Sequence, residues 1–265
     1  MHYALENLDT ISPIVHGDSW ALLTDIDGTL ADFNPRIDEA EIRHSLKNHL
    51  MQLVSKLPLV AVVTGRSLVD ARRMVDIEGV VYLANHGFEH WNDGNVHLDG
   101  SAKPYLTRVH SALEDLKRHM LEFDVFIEDK GVTGAVHYRT AGDPILVERV
   151  LRDATVDLKS LYGLQINFGR RVMEIKPPVL MDKGIAVTQL IRESKLDRAI
   201  YVGDDITDVE AFRAFDLMKS TVDGFDGCTF AVLNDEAPAI VREQADFGLN
   251  NIDEVEELFS WLIRS

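Results

Sequence analysis

Asp25 and Asp27 stand two positions apart in the segment DIDGT, directly after the apolar run Trp20–Thr24. In strand geometry the two carboxylates would share a face. Gly28 lets the chain turn sharply and brings backbone N–H groups close to an anion. A carboxylate pair suits a hard, oxygen-seeking cation such as Mg²⁺. One Asp could attack phosphorus and become an aspartyl-phosphate while the other moves a proton to the leaving oxygen. D-G is also common turn chemistry, so from this segment alone a solvated turn stays open. A calcium loop does not fit, because Thr29 and Leu30 stand where it needs a third acid and a glycine.

A second acidic cluster, Gly203-Asp204-Asp205-Ile206-Thr207-Asp208, follows another apolar run and leads into a helical pattern. Three carboxylates so close repel one another unless a cation sits among them. A helix cap would use only one of them. Two such clusters on two strand ends point to a metal site. Thr64-Gly65-Arg66 adds a hydroxyl and backbone N–H groups of a kind that hold phosphate oxygens. Thr64 could equally be a plain helix cap. Asp182-Lys183-Gly184 opens a further helix, where a lysine is disfavoured by the dipole unless an anion is near. His86, His90 and His97 lack a cysteine partner and do not make a zinc site. Cys228 is the one cysteine and is read as packing.

The elements that must position these groups alternate between short apolar runs and helical patterns. Trp20–Thr24, Leu59–Val63, Val80–Ala84 and Ala199–Val202 run into DIDG, TGR, NHG and GDD respectively, and Thr229–Leu233 and Asp246–Leu249 are two further strand patterns. Uninterrupted apolar strands separated by helices predict a doubly wound parallel α/β sheet covered on both faces, with ligands at the carboxyl ends of its strands. The middle of the chain reads differently. Tyr105–Leu121 and Asp143–Leu161 are helical, the second capped by Asp143 with Pro144 in its first turn. Phe123–Ile127 and Gly131–Tyr138 form one hairpin joined through EDK, and Leu164–Phe168 and Val172–Lys176 form another turning at Gly169–Arg170. The expected organisation is a core of residues 1–104 and 179–265 with an inserted α+β cap of residues 105–178 over the crevice. The hairpins carry Glu128, Lys130, His137, Arg139, Arg171, Glu174 and Lys176, dense enough to suggest a polyhydroxyl or phosphate ligand.

Composition restricts the partners. The 265 residues carry a net charge of −17, which disfavours nucleic acid and anionic membrane surfaces and makes a phosphate site depend on local cations or a metal. The N-terminus MHYALENLDT lacks the basic and apolar regions of a signal peptide, and no apolar run is long enough to span a bilayer. With its single cysteine, the chain is expected in the cytoplasm, as a monomer.

DIDGTL, VVTGR, Lys183 and GDDITD, in that order, resemble the motif set of the haloacid dehalogenase superfamily, with room for a cap between the second and third. Within it, NHGFE at 85–89, EDKGVTGAVHYR at 128–139 and RVMEIKPP at 171–178 resemble the trehalose-6-phosphate phosphatase family. That resemblance implies Mg²⁺-dependent hydrolysis of a small-molecule sugar phosphate, trehalose 6-phosphate. It implies Asp25 as nucleophile, Asp27 as general acid and base, and Thr64 and Lys183 as phosphoryl-binding groups. Asp25, the carbonyl of Asp27 and Asp204 would ligate the metal, supported by Asp208. Arg66, His86, Glu89, Glu128, Lys130, His137, Arg139 and Glu174 would line the sugar site. Related capped enzymes act on sucrose phosphate or on mannosyl- or glucosyl-phosphoglycerate, and the core motifs are common to all of them.

Overall fold

The computed structural model describes residues 1–17, 19–32, 34, 39–169, 171–233 and 237–265. The chain divides into two compact units, Met1–His97 with Met181–Ser265, and Leu98–Leu180. The boundaries expected from turn chemistry, after residue 104 and before 179, differ from this division by a few residues at each end.

The first unit is built on strands β1 (His2–Tyr3), β2 (Ala21–Thr24), β3 (Leu59–Val63), β4 (Val81–Ala84), β5 (Glu89–Asn92) and β6 (Asn95–Leu98), whose last residue falls in the second unit. The second unit contains β7 (Phe126–Asp129), β8 (Gly134–His137), β9 (Gln165–Phe168) and β10 (Val172–Lys176). The chain then returns to the first sheet with β11 (Arg198–Gly203), β12 (Asp226–Val232) and β13 (Phe247–Leu249). The sheet order is β1-β13-β12-β11-β2-β3-β4-β5-β6. All pairings from β1 to β4 are parallel, and β5 runs antiparallel to β4. The expected doubly wound parallel sheet is present, and it carries an antiparallel hairpin at one edge, where Asp93-Gly94 turns between β5 and β6.

The continuous apolar runs follow from burial on both faces. Leu22, Val60, Val62 and Ile200 pack on one side with helices α1 (Leu8–Val15), α2 (His44–Lys56) and α3 (Leu68–Val75). Leu23, Ala61, Val63 and Tyr201 pack on the other side, with helices that follow the second unit in the chain. Register then levels the strand ends: Thr24 pairs with both Val202 and Val62, and Val63 pairs with Leu83. Asp25, Thr64, Asn85 and Gly203 consequently emerge along one edge. Strand connections reverse direction at β2, the position where such sheets bind ligands.

In the second unit, α4 (Leu106–His119) and α5 (Pro144–Tyr162) pack on one face of the antiparallel sheet β7-β8-β10-β9. Val109, Leu113, Leu151, Val136, Met173 and Ile175 form its core. Asp143 caps α5 by accepting from Ile145 N at 3.1 Å and Leu146 N at 3.0 Å. The first hairpin is displaced from its expected position. Glu128 and Asp129 lie within β7, and the turn falls at 130–133, closed by Lys130 N donating to Thr133 O at 3.1 Å. The expected turn at Gly169–Arg170 falls partly on Arg170, which lies outside the described residues. The chain is completed in the first unit by α6 (Lys183–Ser194) and α7 (Asp208–Thr221) on the sheet face lined by Leu23 and Tyr201, and α9 (Ile252–Arg264) on the opposite face, with the short α8 (Ala239–Gln244) between α7 and α9 in sequence.

Candidate active site

Asp25 follows β2 immediately, and its N–H continues the ladder by donating to Val202 O at 2.9 Å. Its carboxylate is buried and meets Lys183 Nζ at 3.0 Å. Lys183, the first residue of α6, is buried too, and donates from Nζ to Asp208 Oδ1 at 2.7 Å. Asp182 caps that helix through Ile185 N at 2.7 Å, which sets the lysine at the helix mouth. Lysine carries three N–H donors, so two engaged carboxylates leave one for an oxyanion.

Asp208 opens α7 with its carboxylate fully occupied. Oδ1 accepts from Lys183 and from Tyr201 Oη at 2.6 Å, and Oδ2 accepts from Asp204 N at 3.0 Å and Asp205 N at 2.9 Å. The residue that the acidic motif places last thus fastens the loop that presents its first two. Oxygens of Asp25, Asp204 and Asp208 all lie within 4.8 Å of one another, the one such acidic group found among the described residues. An all-carboxylate, buried donor set fits a hard divalent cation. Gly28 is needed on two counts: its φ is +78°, and a Cβ there would collide with the Asp204 carboxylate.

Burial drives the electrostatics. It pushes the Asp25 carboxyl up to about 8, against the opposing pull of Lys183, with Asp208 and Asp27 adding to the rise. Burial likewise holds Asp204 well above the usual carboxylate range, again reinforced by Asp208 and Asp25. Burial alone would lower Lys183, but Asp208 and Asp25 outweigh it and keep the ammonium charged. A site that strains to ionise its own carboxylates is one that a cation stabilises.

Thr64 is buried at the end of β3, and its Oγ1 accepts from Arg66 N at 3.1 Å. It does not cap a helix: α3 begins later, capped by Ser67, whose Oγ accepts from Asp70 N at 3.2 Å. Asn85, His86 and Gly87 follow β4 with three successive positive φ angles of 50°, 59° and 98°. That tight loop clasps the Thr64 segment, through Asn85 N to Arg66 O at 2.8 Å and His86 N to Thr64 O at 2.9 Å. A Cβ at Gly65 would stand 2.7 Å from the buried His86 ring, so only glycine admits that close approach. Glu89 accepts from Leu68 N at 3.2 Å and from the Asn85 amide, tying the same loop to α3.

Arg66 is buried and forks onto Asp27, Nε to Oδ2 and Nη2 to Oδ1, both at 2.7 Å. Asp25, Asp27, Thr64, Arg66, His86, Lys183, Asp204 and Asp208 are therefore gathered in the first unit at one sheet edge. Tyr201, Asp70 and Asn85 join them unpredicted. The one advance signal was the i,i+4 spacing of Arg66 and Asp70.

Glu128, His137 and Glu174 share a face of the second unit's sheet, opposite its helices. Registers Glu128↔Ala135, Val172↔His137 and Glu174↔Ala135 fix this. Glu128 Oε2 lies 2.9 Å from His137 Nε2 and 3.7 Å from Lys130 Nζ, and Glu174 lies 3.2 Å from Lys176 Nζ. Arg139 falls beyond the end of β8. His90 and His97 approach with ring centroids 6.2 Å apart, away from the acidic triad.

A family model described as trehalose-phosphatase matches residues 23–232. Trehalose-phosphate phosphatase of Mycobacterium bovis (strain BCG / Pasteur 1173P2) is 31% identical over 239 residues, covering 85% of this chain and 60% of that protein. A Mycobacterium tuberculosis (strain ATCC 25618 / H37Rv) protein described as an uncharacterized glycosyl hydrolase is 31% identical over 220 residues, covering 80% of this chain and 16% of its own length. The chain thus spans less than two thirds of the length of both curated relatives. Among solved structures, the C-terminal domain of the C. albicans trehalose-6-phosphate phosphatase superposes with a TM-score of 0.81 at 20% identity, covering 100% of this chain and 98% of that one. A haloacid dehalogenase-like hydrolase from Bacteroides thetaiotaomicron gives 0.66 at 15% identity, covering 92% and 100%. These two likenesses establish the haloacid dehalogenase-like fold.

Proposed function

The chain belongs to the trehalose-phosphatase family, and from that premise we propose that it hydrolyses trehalose 6-phosphate to trehalose and phosphate through an aspartyl-phosphate on Asp25, with Mg²⁺ as cofactor. The observation that carries the reading is the buried set Asp25–Lys183–Asp208, with Lys183 Nζ 3.0 Å from Asp25 and 2.7 Å from Asp208. A buried ammonium beside a carboxylate at a strand end is costly unless it serves an anionic partner.

Asp25 supplies an oxygen nucleophile to phosphorus, and Lys183 and the Thr64 hydroxyl hold the phosphoryl oxygens. Asp27 gives its proton to the departing sugar oxygen and later takes one from the water that cleaves the acyl phosphate. Asp25, Asp204 and the Asp27 carbonyl would hold Mg²⁺, with Asp208 fixing the loop beneath. The bound cation supplies charge neutralisation for a phosphate that a chain of net charge −17 otherwise repels. It also favours the ionised form of Asp25, which burial opposes. The polar row Glu128, Lys130, His137, Arg139 and Glu174 supplies hydrogen bonds to sugar hydroxyls. A reducing, cytoplasmic compartment suits a chain whose one cysteine, Cys228, is buried and free.

The deciding experiment is phosphate release from trehalose 6-phosphate, with and without Mg²⁺, beside sucrose 6-phosphate and glucosyl-phosphoglycerate. Mg²⁺-dependent turnover of trehalose 6-phosphate at a kcat/KM about 10²-fold above the others is expected. Preference for another of these esters would reassign the substrate and leave the chemistry intact.

A further inference from the structure

Among the groups gathered at the sheet edge, Arg66 has a geometry that its sugar-lining role does not explain. Its side chain is only 2% exposed, whereas that of its partner Asp27 is 35% exposed. Both oxygens of Asp27 are gripped by one guanidinium, at 2.7 Å each. The third nitrogen, Nη1, donates to Asp70 Oδ2. Asp70 is itself fixed: its Oδ1 accepts from Arg73 Nε at 3.1 Å and Nη2 at 2.6 Å, and its N–H is capped by Ser67 at 3.2 Å. The Arg66 backbone is clamped as well, its N–H by Thr64 Oγ1 and its carbonyl by Asn85 N.

A fork of two parallel N–H···O bonds fixes the plane of a carboxylate, which a point cation such as lysine does not. Asp27 keeps its open side toward solvent while its orientation is dictated from the buried side. Proton transfer to a leaving oxygen depends on that orientation, because heavy-atom reach and alignment come before acidity.

We propose that Arg66 is a positioning residue for Asp27, buttressed by Asp70, and that it does not contact the sugar. The inference rests on the reading of Asp27 as the proton carrier. Arg66 works only through Asp27, so its loss is felt where the leaving oxygen needs a proton. A sugar alkoxide needs one and a nitrophenolate does not. The parameter kcat/KM reports events up to leaving-group departure, so the later water step does not blur the contrast.

Arg66→Lys is expected to lower kcat/KM on trehalose 6-phosphate about 10²-fold and on p-nitrophenyl phosphate no more than about 5-fold. Asp70→Asn, which keeps the fork and removes its buttress, should show the same contrast at about 10-fold against 2-fold; it decides the matter if Arg66→Lys proves unfolded by circular dichroism. In an Asp25→Asn background, calorimetric titration with trehalose 6-phosphate should give a Kd unchanged within about 2-fold on adding Arg66→Lys. Equal losses on both esters, or a Kd weakened about 10-fold, would overturn the proposal. Failure of the Asp25→Asn parent itself to bind trehalose 6-phosphate would instead count against the substrate reading, and the same contrast, run with whichever sugar phosphate the chain turns over as the alkyl ester, would still decide the role of Arg66.

Discussion

Lys183 and Glu128 each stand between two polar side chains, yet their surroundings differ. Lys183 is buried and touches Asp25 and Asp208 within 3.0 Å, and the second oxygen of Asp208 is itself held by two backbone N–H groups. Glu128 lies on a half-buried strand face, with His137 at 2.9 Å and Lys130 at 3.7 Å. The first arrangement has one solution, because moving any member strands a buried charge. The second is looser: its longer contact is 3.7 Å, and Glu128 and His137 keep 16% and 21% of their side-chain surface in solvent. The proposed phosphoryl-transfer chemistry sits on the rigid arrangement, and the residues proposed to read the sugar sit on the looser one.

The sharpest break would come from Asp25→Asn. It should retain the fold and lose phosphate release by about 10⁴-fold or more, measured with purified protein at saturating Mg²⁺. Substantial turnover would show that the buried set does not contain the nucleophile. Next in size is Asp208→Ala, which leaves Lys183 with Asp25 as its remaining carboxylate and takes the acceptor from Tyr201 Oη and two backbone N–H groups. Urea unfolding should record a loss of about 3–5 kcal/mol. Its counterpart on the hairpin sheet, Glu174→Gln, should change unfolding by less than about 0.5 kcal/mol. If the two losses were similar, the contrast between rigid and adaptable charge would collapse.

A smaller effect concerns pH. Asp25 is held at about 8 in the fold, above the value of roughly 3.9 for an unfolded carboxylate. The metal-free fold therefore keeps a proton that the unfolded chain releases, and its stability falls as pH rises between those two values. A cation that displaces this proton gains most at the upper end. The increase in Tm produced by Mg²⁺ should grow steadily from pH 5.5 to pH 8 in differential scanning fluorimetry, and a flat response would argue that Asp25 is not a ligand. The smallest effect expected is that Glu174→Gln raises KM for trehalose 6-phosphate about 2- to 10-fold at unchanged kcat, the value of one hydrogen bond to a hydroxyl.

Strand ends were readable because burial on both faces fills the central strands mostly with apolar residues. Wherever LVAVV or AIYV stops, chemistry begins. The α5 cap was readable for a local reason, Asp143 before Pro144. What escaped lacked a local reason. β1 is two residues long and joins the sheet by pairing with β13, far away in sequence. The β5–β6 hairpin mixes Glu, His, Trp and Asn on half-exposed faces, so its Asp93-Gly94 turn was the single cue. The fork between Arg66 and Asp27 joins residues 39 apart, and no spacing rule announces such a pair. The proposal that Arg66 holds Asp27 therefore rests on the fold and not on any sequence pattern.

That same β5–β6 hairpin has a consequence for solubility. Without it, β4 would end the sheet, and its VYLA sequence offers a row of open backbone groups with no charge to repel a second copy. The hairpin substitutes a short outer strand of Asn95, Val96, His97 and Leu98 that is largely exposed and poorly suited to templating. Trimming residues 89–98 would thus remove a gatekeeper, and the shortened chain should form β-rich aggregates at concentrations where the intact one stays dispersed.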